Sequence, residues 1–495
     1  MMKKYIKPAV IACCLALALL LPGCMAAEQT AKQAADGDAS FVFSDDGITA
    51  AGGYSGCEID GTALTIDSAG TYTASGTCSD GSITVKKGTT GVTLVLDGLA
   101  LTSSDTAPIA CNKSTDVTIV AAEGTTNTLA DSEQNNDEAH ADNENAENAV
   151  IKCKDGSKVT ICGAGTLNIA ANGKNGIKSG ATTDSEGEAS LTIQDVTLNI
   201  TAPVNDAINA EQLLNIESGT LNISAADDAI HSDYELNIGA DGTVGPTIII
   251  TDCYEAIEAA ALNICSGDID ITSTDDCLNA ANSDLTNYAF SMNISGGTIN
   301  AFSASGDGFD SNGSLTISGG TVVVWTANTA DNQPLDADGT ITISGGTVLA
   351  AGGSAGMGVN VDASQPCVVF GADGGMGGMN PGRQSGSTAA VSKGSTLSVR
   401  DDSGNTVFSK AAPCDVSYVL LSSDELSSDS SYTLYFGDTA AATATAQLGV
   451  SGGRQFGGMS SGGRGTDFGE RDDAATDHPG EGRRGDKPAL PAGGQ

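Results

Sequence analysis

The sequence predicts an all-β protein, with a central right-handed parallel β-helix of roughly ten coils, a small C-terminal β module and a disordered tail. Three observations support this class. Short apolar–polar–apolar triplets recur along the chain, glycine is abundant (64 of 495 residues) while aromatic residues make up 4%, and no continuous helical period occurs. Such a chain has many short strands and many turns.

The triplets between residues 92 and 351 form three sets. The first set alternates apolar and polar residues with the period of a strand and comprises Leu191–Ile193, Leu214–Ile216, Leu236–Ile238, Leu262–Ile264, Met292–Ile294, Leu315–Ile317 and Ile341–Ile343. The second set follows after a small turn and comprises Leu198–Ile200, Leu221–Ile223, Ile269–Ile271, Ile299–Ala301 and Val322–Val324. The third set reads acid, small, apolar, polar and comprises Asp206–Asn209, Asp228–His231, Glu255–Glu258, Asp276–Asn279 and Asp307–Asp310.

The spacing of the third set favours stacked coils over hairpins. Its apolar positions are separated by 22, 27, 21 and 31 residues, as expected for one coil with loop insertions. The alternative is a chain of β-hairpins, since residues 315–324 also resemble two strands around a Gly-Gly turn. Hairpins, however, do not require a third strand that returns in phase.

Composition shifts divide the chain into seven predicted segments. These are a lipoprotein signal peptide at 1–23, a linker at 24–45, an N-terminal β cap at 46–91, the parallel β-helix at 92–351, a Gly/Met-rich connector at 352–388, a C-terminal β module at 389–447 and a disordered tail at 448–495.

The N-terminal segment predicts export. Lys3, Lys4 and Lys7 precede an apolar run that ends in Leu21-Pro-Gly-Cys24, the order of charge, hydrophobe and small residue typical of a secretory signal. This end resembles a bacterial lipobox, which implies lipidation of Cys24 and an extracellular protein anchored to the outer face of the cell membrane. The alternatives are an ordinary signal peptide or an uncleaved anchor.

The charge of the chain narrows its partners. The formal net charge of −40 becomes −43 once the three signal lysines are removed. Such a chain repels nucleic acid and anionic membrane surfaces, so nucleic acid is not an expected partner and the membrane is contacted through the lipid anchor only.

An acidic column is the main candidate for chemistry. Five successive coils place an acid at the same position, namely Asp206, Asp228, Glu255, Asp276 and Asp307. Three further acids accompany them, with Asp227 and Asp275 beside this column and Asp310 in the next one. Carboxylates at the ~4.8 Å strand spacing repel by roughly 3 to 4 kcal/mol at an effective dielectric of ~20. Residues 179–382 contain 27 acids and no Lys or Arg. Calcium, which binds about six to eight oxygens, is therefore the predicted cofactor with these eight residues as ligands, and a solvated acidic edge is the alternative.

These motifs together resemble a known family. The lipobox, the Asp-Asp-Ala-Ile and Gly-Asp-Gly-Phe-Asp units, the Ile-Ser-Gly-Gly-Thr turns and the Gly/Met-rich tail are similar to the clostridial carbohydrate-binding β-helix lipoproteins. That family is similar in fold to calcium-dependent pectate-type polysaccharide lyases. The resemblance implies binding of a polysaccharide, cellulose or an acidic pectin-like glycan, with structural calcium in the coils.

Two other functions remain open. A calcium-dependent lyase acting on uronate polymers needs a base beside the uronate carboxylate, and the candidates are Lys174, Lys178 and His231. Lys178 and His231 share a polar column with Asn209 and are also explained as exposed turn residues. A surface scaffold without any glycan ligand is the other possibility. Because the family resemblance favours binding, enzyme activity is not expected but is left open.

Two aromatic residues are the candidate glycan contacts. Phe302 and Trp325, the single tryptophan, fall in register in adjacent coils. Facing outward they would form a stacking platform for sugar rings, and facing inward they would be core residues.

Ten cysteines remain after Cys13, Cys14 and Cys24 are set aside, so disulfides are possible but not required. Cys111 and Cys153 occupy equivalent positions in adjacent coils and form the best-supported candidate pair.

Overall fold

The computed structural model describes residues 39–51, 55–327, 332–353, 360–371 and 392–451. In these residues the chain is all-β, with strands in one sheet of 34 and one of four, and without a helix of the length and apolarity needed to cross a membrane. The predicted signal peptide, Cys24 and nearly all of the predicted tail lie outside the described residues. Most of the linker at 24–45 also lies outside them.

The strands before the long acidic loop are β1 (Ala39–Ser44), β2 (Gly47–Ala51), β3 (Cys57–Asp60), β4 (Ala63–Ile66), β5 (Gly70–Cys78), β6 (Ser82–Val85), β7 (Val92–Thr102), β8 (Ile109–Cys111), β9 (Asp116–Ala121) and β10 (Thr126–Ala130). The strands of the main repeats are β11 (Ala149–Cys153), β12 (Lys158–Cys162), β13 (Thr166–Ala170), β14 (Asn175–Ser179), β15 (Ser190–Ile193), β16 (Thr197–Ala202), β17 (Ile208–Ala210), β18 (Leu213–Ile216), β19 (Thr220–Ala225), β20 (Ile230–Ile238), β21 (Thr247–Asp252), β22 (Ile257–Ile264), β23 (Asp268–Ser273), β24 (Leu278–Ala280), β25 (Ser291–Ile294), β26 (Thr298–Ser303), β27 (Phe309–Ser311), β28 (Ser314–Ile317), β29 (Thr321–Thr326), β30 (Ile341–Ile343) and β31 (Thr347–Gly352). The C-terminal strands are β32 (Asn360–Phe370), β33 (Thr396–Asp401), β34 (Thr406–Ala411), β35 (Tyr418–Ser422), β36 (Ser431–Phe436), β37 (Thr439–Thr445) and β38 (Gln447–Ser451).

Successive repeats pair in parallel along three ladders. The first ladder holds the first triplet set in β9, β12, β15, β18, β20, β22, β25, β28 and β30. The second ladder holds the second set in β10, β13, β16, β19, β21, β23, β26, β29 and β31. The third ladder holds the acid-small-apolar-polar set in β14, β17, β20, β22, β24 and β27, with β4, β6, β8 and β11 before it.

The hairpin alternative is wrong for the segment that suggested it. Strands β28 and β29 flank the Gly-Gly turn but do not pair with each other, because β28 pairs with β25 and β30 while β29 pairs with β26 and β31. Gly320 in that turn has φ +84°, and a Cβ there would lie 2.6 Å from the carbonyl oxygen of Gly297 in the preceding repeat. The turn therefore needs glycine both for its backbone angle and for close stacking.

Aliphatic columns fill the interior. In the first ladder Ile216, Ile238, Ile264, Ile294 and Ile317 follow one another in register, and all are fully buried. Removing this much apolar surface from water is the main stabilising contribution. The alternation of buried and exposed positions is what period-2 strands require.

The repeats begin earlier in the chain than the predicted β-helix. Strands β4, β5 and β6 fall in the predicted cap. They nevertheless pair in parallel like the later repeats, β4 with β6 and β5 with β7. Antiparallel pairing in this part joins β1 to β2 and β3 to β4.

The C-terminal part differs from the predicted division into connector and module. Strand β32 runs through the segment predicted as a connector and pairs with β30 in parallel. Strand β35, predicted within the module, instead pairs antiparallel with β31 and β32 in the large sheet. All five of its residues are buried, as expected for a strand covered on both faces. The four-stranded sheet β34-β33-β36-β37 contributes Leu397, Val399 and Leu434 to the core cluster that covers this region.

Candidate functional site

Backbone hydrogen bonds place the five predicted acids in one column. The amide that follows each acid donates to the carbonyl of the acid in the next repeat, in the pairs Ala207 to Asp228 (3.0 Å), Ala229 to Glu255 (3.0 Å), Ala256 to Asp276 (3.0 Å) and Cys277 to Asp307 (3.4 Å). We call Asp206, Asp228, Glu255, Asp276 and Asp307 the acidic column. Their stacking agrees with the alignment of the repeats.

Backbone amides donate hydrogen bonds to several carboxylates of the acidic column. The Oδ1 atom of Asp206 accepts the N–H of Asp228 at 3.2 Å, and Oδ1 of Asp276 accepts the N–H of Asp307 at 2.6 Å. Oδ1 of Asp307 likewise accepts the N–H of Gln333. Asp228 is different, because its Oδ1 is buried and has no hydrogen-bond partner. These amide contacts were not predicted from the sequence.

Burial makes ionisation of the column unfavourable. It is the largest cause that raises the pKa of Glu255 to about 9, and the charges of Asp228 and Glu258 raise it further. Burial followed by the charge of Asp275 raises the pKa of Asp276 to about 8. These carboxyl groups therefore remain largely protonated near neutral pH unless a cation lies among them.

Two groups of three carboxylates could hold a cation. Each has ligand atoms within 4.8 Å of one another, and the groups are Asp206 with Asp227 and Asp228, and Asp307 with Asp310 and Asp336. In the second group burial raises the pKa of Asp307 to about 7 and that of Asp310 to about 6. The backbone N–H of Gln333, a residue that is 6% exposed, donates to Oδ1 of Asp307 beside this group. Three carboxylates supply the oxygen donors that Ca²⁺ prefers.

Asp336 was missed from the sequence because its repeat lacks the acid-small-apolar-polar pattern. An isolated bridge between Phe309 and Leu335 brings Asp336 alongside Asp310. The available signal was the Leu335-Asp336 pair, which matches Phe309-Asp310.

Glu255, Asp275 and Asp276 do not form a third such group within the described ranges. A Cβ on Gly306 would lie 2.3 Å from Oδ1 of Asp275 and 2.5 Å from Oδ1 of Asp276. The backbone of Gly306 therefore packs directly against both carboxylates. The role of these three acids as ligands stays a prediction.

His231 is buried, in contrast to the expectation of an exposed turn residue. His231 pairs in register with Asn209, as the alignment of the repeats predicted, and with Glu258 on its other side. The residue is only 1% exposed. Its Nδ1 lies 3.1 Å from Oδ2 of Asp228 and 3.4 Å from Oε2 of Glu258, and its Nε2 lies 2.8 Å from Oδ1 of Asp233. Burial lowers the pKa of His231, but hydrogen bonds to these three carboxylates outweigh burial and hold it well above the usual range.

The two candidate lysines are ion-paired. Lys174 Nζ lies 2.5 Å from Glu138 Oε1, and Lys178 Nζ lies 3.1 Å from Glu211 Oε1. The Nζ atom of each lysine therefore already contacts a carboxylate.

Phe302 and Trp325 are in register, as the sequence predicted, but do not form an exposed platform. Trp325 is 4% exposed and packs in a core cluster with residues of the C-terminal sheet, so the core alternative describes it. Phe302 is half-buried. Both line a cleft of about 430 Å³, together with Asn300 and Lys410, whose Nζ donates to Oδ1 of Asn300 at 2.8 Å.

An aromatic cluster at a different position was missed. Tyr234 and Tyr288 pack with ring centroids 6.2 Å apart, and Tyr288 and Phe290 with centroids 5.4 Å apart. Tyr288 is exposed. Asn282, on the loop that precedes Tyr288, donates to the carbonyl of Asp233 at 2.8 Å. Tyr234 lies more than 50 positions before Tyr288 and Phe290 in the chain, so no local pattern indicated the cluster.

Cys111 and Cys153 are neighbours in register, as their equivalent positions predicted, and both are present as buried thiols.

Comparison with known proteins gives three findings. Residues 60–358, more than half of the chain, match the family described as "Carbohydrate-binding domain-containing protein". A relative with that description from Acetivibrio thermocellus is 35% identical over 176 residues, which cover 35% of this chain and 60% of the relative. The aligned region thus spans less than two thirds of that relative's length.

A solved structure of the polysaccharide lyase-like protein from C. thermocellum, in its gadolinium derivative, is 25% identical, with 66% of this chain and 97% of that chain covered and a TM-score of 0.32. The match over residues 60–358, which include the stacked repeats, is the finding that establishes the family. The chain belongs to the carbohydrate-binding domain-containing protein family.

Proposed function

We propose that this protein binds an acidic, pectin-like polysaccharide through calcium ions held along the third ladder. In this proposal the repeats form a right-handed parallel β-helix, and lipidated Cys24 anchors the protein to the outer face of the cell membrane. Binding of cellulose is the alternative within the same function. The observation that carries the proposal is the group of Asp307, Asp310 and Asp336, whose carboxylate oxygens lie within 4.8 Å of one another.

Calcium suits this group because all of its donors are oxygens and because the raised pKa values of Asp307 and Asp310 show that their charges are not neutralised by the protein itself. A bound dication removes the repulsion among the carboxylates and favours their ionised form. When bound, calcium supplies a positive centre to which a uronate carboxylate can coordinate.

The charge of the chain favours this mode of binding. A protein of net charge −40 repels an anionic polymer unless cations are placed at its surface. The cleft at Phe302 and Lys410 would add a contact that does not need calcium, since an ammonium, an amide and a partly exposed ring suit the hydroxyl groups and C–H faces of a sugar.

We propose binding without cleavage. A lyase needs a side chain that accepts a proton, and the candidate cations Lys174, Lys178 and His231 are each paired with carboxylates. A rise in absorbance from an unsaturated product during incubation with polygalacturonate would establish the lyase alternative instead.

The test is binding of polygalacturonate and of cellulose to metal-stripped protein, with added calcium or with chelator. We expect calcium to increase the affinity for polygalacturonate at least about tenfold, and an Asp310→Asn/Asp336→Asn variant to lose that increase. Asp338→Asn is the matched control, because Asp338 is exposed on the same segment and outside the group. Equal binding in chelator, or an equal effect of sodium chloride at the same ionic strength, would contradict the calcium mechanism.

A further inference from the structure

The surroundings of His231 differ chemically from the carboxylate groups proposed for calcium. Asp228 precedes His231 by three residues, and the pairing of β20 with β22 sets Glu258 beside His231 in the next repeat. The imidazole therefore lies between one carboxylate of its own repeat and one of the following repeat. All three residues are more than nine-tenths buried, at 1% exposed for His231, 6% for Asp228 and 7% for Glu258.

The distances from the imidazole of His231 to its two carboxylate neighbours fit a small metal ion. Nδ1 of His231 lies 3.1 Å from Oδ2 of Asp228 and 3.4 Å from Oε2 of Glu258. Zinc binds nitrogen and carboxylate oxygen at about 2.0 to 2.2 Å in tetrahedral geometry, which separates neighbouring donor atoms by roughly 3.3 to 3.5 Å. The observed distances are close to that separation.

The hydrogen-bonding of Asp228 is incomplete without a further ligand. The other aspartates of the acidic column, Asp206, Asp276 and Asp307, each use Oδ1 to accept a backbone N–H from the next repeat. Oδ1 of Asp228 is buried and has no partner, while its Oδ2 faces His231. A single Nδ1–H can point at only one of the two carboxylates that face it, whereas a dication attracts both.

Asp233, which is not one of the three proposed ligands, contacts the second nitrogen of the His231 ring. Nε2 of His231 lies 2.8 Å from Oδ1 of Asp233. When Nε2 carries the hydrogen and donates it to Asp233, the lone pair of Nδ1 faces Asp228 and Glu258. A carboxylate in this role is usual for metal-bound histidine, because it sets the tautomer and the ring orientation.

We propose that Asp228, His231 and Glu258 form a binding site for a first-row transition-metal dication, with zinc as the best-matched ion and with Asp233 as a positioning residue. Imidazole is a common donor to zinc and a poor one to calcium, which distinguishes this site from the all-oxygen groups. Three protein donors leave one tetrahedral position to a non-protein ligand such as water. The site does not depend on polysaccharide binding.

The test uses the full chain after treatment with chelator and alkylation of accessible thiols. Titration calorimetry with zinc chloride should show one high-affinity ion per chain. Cobalt chloride should give the intense visible absorption of a tetrahedral cobalt site. His231→Gln and Glu258→Gln should each weaken zinc binding at least about tenfold and remove the cobalt absorption. Asp233→Asn should weaken zinc binding by about 10 to 100-fold with the cobalt bands shifted rather than lost.

His140→Gln is the control, because His140 lies in the acidic loop and contacts Gln134 rather than this site. Circular dichroism verifies that each variant is folded, and Glu258→Gln keeps the test decisive should His231→Gln unfold. Unchanged zinc binding in folded Glu258→Gln or His231→Gln, or no saturable zinc binding to the parent chain, would overturn the site and would mean that His231 is an imidazolium within an ion-pair network. Calcium-dependent binding of polygalacturonate through the Asp307 group should persist in His231→Gln, which separates this site from the proposed function.

Discussion

Asp276→Asn tests whether the acidic column makes the metal-free protein less stable as the pH rises. The pKa of Asp276 is about 8 in the folded protein, against an ordinary value of 3.8. Between these values the folded chain holds a proton that the unfolded chain has lost. The free energy of unfolding therefore falls with rising pH, by at most about 1.4 kcal/mol per pH unit. From about pH 5 to about pH 8.5 this one group removes up to about 4 kcal/mol.

Asparagine does not titrate, and its Oδ1 can still accept the N–H of Asp307 that Asp276 accepts at 2.6 Å. In chelator, the stability of the variant relative to the parent should thus increase by up to about 4 kcal/mol over that pH range, as measured by urea unfolding. Added calcium should reduce the pH dependence of the parent, because it favours ionised carboxylates. Asp268→Asn, an exposed acid at the start of β23, is the control. A difference between Asp276→Asn and parent that stays constant from pH 5 to 8.5 would refute the reasoning.

Two further predictions concern packing and the cleft. Gly306→Ala should destabilise the protein by about 1 to 3 kcal/mol, because its Cβ would lie 2.3 Å and 2.5 Å from the carboxylate oxygens of Asp275 and Asp276; an unchanged thermal midpoint would contradict this packing. The fluorescence of Trp325 should change as polysaccharide fills the cleft, and Phe302→Ala should weaken that response at least about threefold. A spectrum that is constant up to saturation would exclude the cleft as a contact.

Local patterns determined the repeating part of this protein. A period-2 triplet such as Leu262–Ile264 must present one face to an interior, and glycine turns return the chain in phase. The alignment of the repeats could therefore be predicted from the sequence. The same phase placed the acids of the column together, because residues at equivalent positions of stacked strands are neighbours. The family found by comparison agrees with the resemblance carried by these motifs.

Tertiary structure alone decided what covers each face of the repeats. Trp325 is buried because residues of the C-terminal sheet pack over it, and strand β35 joins the large sheet because both of its faces become covered. His231 lies inside a group of carboxylates that includes Glu258, 27 residues later in the chain. Such burial depends on contacts between segments far apart in sequence, and the period of a single strand carries no information about them.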